Sequence, residues 1–158
     1  MPESALTNTR GAAMKDPISI YLTEDHHRCD HLLAACEAAV SAAAWATADE
    51  SASGFRDALL RHFAIEEDVL FPAVERASPS AGGPTGVMRT EHRQMRYLLD
   101  ELTSAVRARD RAACLGNLET LHLLGQQHNA KEEGILYPLA DDALRGSAEA
   151  LVGRMRAV

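Results

Sequence analysis

The chain has 158 residues, 46% of them hydrophobic and 25% charged, the balance of one soluble domain large enough to bury a real core. A net charge of −7 speaks against nucleic acid or an anionic membrane surface as partner, and no apolar run is long enough to span a bilayer. The first fifteen residues carry Arg10 and Lys15 without an apolar core, so no secretory leader is expected and the chain reads as cytoplasmic.

Aromatic residues make up only 4% while alanine abounds, which favours closely packed helices. Residues 1–15 show no periodicity and read as a mobile tail, 16–145 as the folded domain and 146–158 as a C-terminal extension. Asp16-Pro17 is a helix start, Asp as N-cap and Pro in the first turn. From there Ile18, Leu22, His26, Cys29, Leu33, Cys36 and Val40 recur at steps of three or four, the stripe of one buried face. His26 lies in that stripe, whereas His27 and His31 are turned about 100° and 140° away and belong to the rim. The alanine run and Trp45 lead into an expected turn at 47–53.

A second helix presents Phe55, Leu59, His62, Glu66, Val69 and Ala73 on one face. Glu67 is about 100° off it and reads as a solvated or salt-bridged carboxylate. Pro72 should end or kink this helix, and the Pro/Gly/Ser-rich stretch 78–86 is the expected linker. A third helix turns Met88, His92, Met95, Leu99, Leu102 and Val106 inward. After a connection at 107–110, with Asp110 as N-cap, a fourth presents Leu118, Leu121, Leu124 or Gly125, His128, Glu132, Ile135 and Leu139. His122 falls on another face; Gly125 either admits a close neighbour or merely weakens the helix. A stop follows Leu144, with a short extra helix around Leu151 and Val152. Cys29, Cys36 and Cys114 form neither a disulfide framework nor a zinc knuckle and read as small buried side chains, with Cys29 the one thiol near the histidine stripe.

Two stretches of this chain are copies. His62 begins His-x-x-x-Glu-Glu-x-aliphatic-Leu-aromatic-Pro, and His128 begins the same pattern 66 residues later. The same offset maps Asp25-His26 onto Glu91-His92, Leu32-Leu33 onto Leu98-Leu99 and Val40 onto Val106. Two helices per copy predict an all-α, up-down-up-down four-helix bundle built from a duplicated hairpin. His and Glu four residues apart lie one above the other on a helix and can share a metal. The chain thus offers four imidazoles and two carboxylates: His26, His62, Glu66, His92, His128 and Glu132. With no thiolate at ligand spacing, that set suits iron first, then manganese or zinc. Two facing carboxylates can bridge a pair of metals while the imidazoles cap each one, which also relieves the repulsion between two buried Glu. A single metal would be saturated by six ligands; two irons would keep open positions for an oxide bridge, water or a small oxidant. Leu22, Cys29, Met95, Leu121 and Ile135 are the expected apolar walls of those positions.

Asp25-His26-x-x-x-Asp30-x-Leu32-Leu33, Glu91-His92 and the two His-x-x-x-Glu-Glu…Pro segments together resemble the hemerythrin-like (HHE cation-binding) domain over about residues 17–142. The resemblance implies a non-haem di-iron centre on the same six residues and a small-molecule ligand: dioxygen, nitric oxide or peroxide. Two departures bear on which branch it is closest to. The oxygen carriers have a second histidine one turn after the third-helix ligand, where this chain has Arg96, and they space the last His and a bridging Asp by five, where His128 and Glu132 are four apart. Both favour the bacterial HHE branch over an oxygen carrier. The expected task there is reversible interaction with that small ligand or the holding and delivery of iron, and an enzymatic role in iron–sulfur cluster repair or peroxide reduction is the alternative. The cluster-repair proteins carry paired N-terminal cysteines, which the tail lacks; a zinc-filled structural bundle is the remaining reading.

Overall fold

The computed structural model describes residues 17–158, and the expected tail and the Asp16 cap lie outside them. The described residues contain helices and no strand: α1 (Pro17–Ser41), α2 (Trp45–Ala64), α3 (Phe71–Ala77), α4 (Gly82–Arg107), α5 (Arg111–Lys131), α6 (Tyr137–Ala143) and α7 (Ala148–Arg156). The four long helices pack in a closed circuit, α1 on α2, α2 on α4, α4 on α5 and α5 on α1. Among the described residues no helix is long and apolar enough to cross a membrane.

The turn expected at 47–53 is helical, and the chain instead reverses at 42–44. Ala43 takes a left-handed φ of 52°, and the Ala44 amide reaches back to the Ala39 carbonyl at 3.0 Å, a helix stop normally built on glycine. Sixty-six residues on, Arg109 (φ 53°) and the Asp110 amide on Ala105 (3.0 Å) repeat that geometry, and Asp110 caps α5 by accepting from the Ala113 amide at 3.0 Å. The expected 78–86 linker shrinks to Ser78 and a single 3₁₀ turn, Pro79–Ala81. Gly82 to Gly86 form the first turn of α4, where Pro84 needs no intrahelical partner. The N-terminus of α1 receives a carboxylate from far along the chain: Asp141 accepts from the Ile18 amide (3.1 Å), the Ser19 amide (3.2 Å) and the Ser19 hydroxyl.

Pro72 does not end its helix. Lacking an N–H, it leaves the carbonyl four residues earlier without its usual donor. The backbone widens into a π turn over Ile65–Leu70, and the Phe71 amide bonds the Glu66 carbonyl before α3 resumes. Glu132–Leu136, ahead of Pro138, does the same, with the Tyr137 amide on Glu132. A π turn inserts one residue and rotates everything after it by about 100° relative to an α-helix. Leu136 and Tyr137 therefore face inward, and Ile135, expected as a wall, is 63% exposed.

The interior is divided in two. Ile18, Leu22, Leu70, Phe71, Met88, Leu136 and Tyr137 belong to one apolar cluster, to which α7 adds Leu151, Val152 and Met155. Leu33, Cys36, Phe55, Phe63, Met95, Leu99, Leu118 and Leu121 belong to the other. His26, His62, His92 and His128 fall in sequence between members of the two clusters, so a polar layer separates them.

Candidate metal centre

All six expected residues are buried, none more than 3% exposed. They form two overlapping groups, His26, His62, Glu66 and Glu132, and Glu66, His92, His128 and Glu132, each with its donor atoms within 4.8 Å of one another. The two glutamates belong to both groups.

Each imidazole is held from behind by a carboxylate on another element. Asp25 of α1 takes the His62 Nδ1–H at 2.8 Å, and Glu67, after α2, that of His92 at 2.8 Å. Glu91 of α4 takes that of His128 at 2.7 Å, and Glu133, after α5, that of His26 at 2.7 Å. A carboxylate only accepts, so every Nδ1 carries a proton and every Nε2 is the atom turned toward the centre. Three of the four carboxylates are fixed by a cation: Asp25 by Arg28 (2.9 Å), Glu67 by both Arg96 amines (2.9 Å each), and Glu91 by Lys131. Among the described residues no cation pairs with Glu133. Burial opposes ionisation of Asp25, Glu67 and Glu91, yet these partners hold all three below the usual carboxylate range.

The inner atoms satisfy each other poorly. His62 Nε2, Glu66 Oε2 and Glu132 Oε1 are buried without a hydrogen bond. Imidazole nitrogens do lie 3.1 Å from that Glu66 oxygen and 2.9 Å from that Glu132 oxygen, but without hydrogen-bond geometry: these atoms face a common space more than one another. His92 Nε2 stands 3.1 Å from His128 Nε2, so both nitrogens crowd the same point of the centre. A metal cation held among them would satisfy all of these atoms at once, and imidazole and carboxylate donors without thiolate suit iron, manganese or zinc. Burial disfavours charge on His62, but Glu66 and Asp25 keep it protonated well above the ordinary histidine range, and Glu132 raises His128 in the same way. Despite complete burial, His62 and His92 hold Glu66 well below the normal range.

Aromatic rings close the site. Phe63 stacks on His92 at 4.0 Å between centroids and Phe71 lies beyond it at 5.9 Å. Tyr137 stacks on His26 at 5.5 Å. A cavity of about 30 Å³, room for a water or a diatomic molecule, abuts the centre. His26, His62 and His128 line it on the polar side, and Cys29, Met95, Leu121 and Gly125 form part of its wall. Three of the five expected wall residues thus line the cavity, whereas Leu22 belongs to the other apolar cluster and Ile135 faces out. Burial pushes the Cys29 thiol up to about 11, which keeps it protonated. Cys36 and Cys114 are buried and free, and His27 and His31 are exposed; His122, expected on another face, is exposed but also lines the cavity.

Sequence reasoning missed Tyr137. Its hydroxyl lies 2.6 Å from Glu66 Oε1, 2.9 Å from Glu132 Oε2 and 2.9 Å from His26 Nε2. The signal was its place in the repeat, where Phe71 is the matching residue. Arg96, where the oxygen carriers have a histidine, forks onto Glu67 and covers the Phe63 ring (5.2 Å), so it braces the site from outside.

No curated protein and no solved structure matches the chain. The hemerythrin HHE cation-binding domain, in contrast, matches residues 18–140, which span α1 through most of α6 and include every donor of the buried cluster. On that match the chain belongs to the hemerythrin HHE cation-binding domain family.

Proposed function

We propose that the chain is a cytoplasmic di-iron protein whose task is reversible interaction with a small oxidant (dioxygen, nitric oxide or peroxide) or the holding of iron. His26 and His62 would cap one metal, His92 and His128 the other, and Glu66 and Glu132 would bridge the two. The fold behind this reading is a duplicated hairpin closed into a four-helix bundle, and the matching turns, π segments and His–carboxylate pairs at the 66-residue offset support it. The observation that carries the reading is the sharing of Glu66 and Glu132 by both donor groups.

Bound iron would supply reversible one-electron chemistry and open coordination positions. The chain's own residues do the rest. Asp25, Glu67, Glu91 and Glu133 fix the imidazole tautomer and ring direction and raise ligand basicity. Phe63, Phe71, Met95 and Leu121 keep bulk water from the centre, while the cavity beside His26, His62 and His128 admits a molecule of diatomic size. Iron is favoured over zinc because the donors are imidazole and carboxylate and the nearest thiol stays protonated.

The test is metal content per chain, with an absorption spectrum, for protein made in iron-supplemented medium and purified without added metal. Two irons with an oxo-type near-ultraviolet band, shifted by azide or nitric oxide, support the proposal. One metal or none, or colourless zinc under iron-replete growth, refutes it.

A further inference from the structure

The two metal positions match in the type of every inner donor the repeat supplies. Positions 66 apart supply the same capping histidine, the same glutamate and a carboxylate behind each imidazole, with Asp25 answered by Glu91. At the aromatic position before proline, however, one copy has Phe71 and the other Tyr137. Phe71 offers only a ring face, 14° from parallel to His92. Tyr137 is fully buried, and its oxygen reaches three donor atoms of a single position: Glu66 Oε1 (2.6 Å), Glu132 Oε2 (2.9 Å) and His26 Nε2 (2.9 Å).

One hydroxyl proton cannot serve three acceptors. His26 already gives its Nδ1 proton to Glu133, so its Nε2 faces the phenol with a lone pair, as both carboxylate oxygens do. Metal–oxygen and metal–nitrogen bonds of about 2.1 Å put neighbouring donors of a six-coordinate ion about 3 Å apart. The phenolic oxygen keeps close to that spacing from all three atoms, and so does the pair His26 Nε2–Glu132 Oε2 (3.1 Å). We infer that Tyr137 is a seventh protein donor, a phenolic oxygen on the metal held by His26 and His62, leaving the metal of His92 and His128 one protein donor poorer. The phenol proton leaves to solvent as the metal takes its place. The centre is then site-differentiated: the two metals differ in donor number, the larger protein share falling to the metal of His26 and His62.

This inference rests on the two-metal reading, and its test separates the two. Full-length wild type and Tyr137→Phe are loaded with ferric iron, and metal content, visible absorption and resonance Raman spectra are recorded. We expect two irons in both proteins. Wild type should show a tyrosinate-to-iron charge-transfer band with enhanced tyrosine ring modes, and Tyr137→Phe should lose both. Two irons in wild type without tyrosinate modes, or an unchanged visible band in Tyr137→Phe, overturns the role of Tyr137 and leaves the two-metal reading standing. Fewer than two irons in wild type overturns both. The wild-type Raman spectrum decides the matter even where the variant folds poorly.

Discussion

Asp25→Asn changes one oxygen to an amide and should weaken metal binding by a factor of ten to a hundred. Asp25 is 8% exposed, takes the His62 Nδ1 proton at 2.8 Å and is pinned by Arg28 at 2.8 and 2.9 Å. The amide oxygen could still accept from Nδ1, but the charge is lost, and the amide N–H₂ then either opposes the Arg28 donors or turns on His62 itself. His62 becomes a weaker base and a less firmly aimed ligand. Outer partners of this kind are worth about ten- to a hundredfold in metal affinity, or roughly 1.4 to 2.7 kcal/mol. Competition against a chromophoric chelator measures the change, with Glu24→Gln, exposed on the same helix, as the control. Glu91→Asn or Gln should match it through His128, and Glu133→Gln should cost less, since Glu133 is 37% exposed and has no cation among the described residues to fix it. A loss below about threefold in Asp25→Asn, at unchanged thermal stability, would refute the idea that the carboxylates behind the imidazoles tune the centre.

Metal-free protein should lose stability as pH rises. The folded state holds protons on His62 and His128 that the unfolded chain releases near pH 6.5, so their contribution is complete below that pH and fades as pH climbs through the raised folded values. Thermal melts of metal-free protein from pH 6 to 9 check the slope, and a rising melting temperature would contradict it. At the acid end Asp25, Glu67 and Glu91 act in the opposite sense: their contribution is present above about pH 4 and is lost as pH falls through their lowered values, which acid titration followed by circular dichroism reads. Ala43→Gly should stabilise the fold by about 0.5–1 kcal/mol, because glycine occupies a φ of 52° without the Cβ penalty although it gains entropy when unfolded. The gain would appear as a melting temperature higher by about 1–4 °C. Gly125→Leu places a side chain where the added Cβ meets no atom within 4 Å, on the lining of the cavity. It should leave metal content unchanged and slow azide or nitric oxide binding, measured by stopped-flow absorption.

Register made the inner donors legible. Four histidines and two glutamates recur at one offset and lie on the apolar stripes, and the fold brings those six together. Their neighbours were harder to read, because Asp25, Glu67, Glu91 and Glu133 each sit one residue off the stripe, where a carboxylate looks solvated. Glu67 is salt-bridged to Arg96 as its register suggested, but it also holds His92, a relation between helices that periodicity along one helix cannot express. Ile135 shows a different limit. Counting at 3.6 residues per turn runs straight through Glu132–Leu136, whereas the π turn there shifts the inward face to Leu136 and Tyr137. The sharp stop at Ala43 was hidden because alanine favours helix everywhere else and here takes a glycine conformation.

The carboxylate of Asp141 on the first amides of α1 also dictates an order of events. Helix α1 carries His26 but obtains its N-terminal cap 122 and 123 residues later, its imidazole brace from Glu133, and part of its packing from α6 and α7. A ribosome delivers all of these after α1, so the nascent chain holds His26 and its neighbours long before they can be locked in place. Contacts of such sequence separation form late and slow folding, since a long loop must close before they return any stability. Metal capture thereby becomes a property of the finished chain, and a truncation before residue 141 should forfeit the pre-aligned centre even though all six inner donors would still be present.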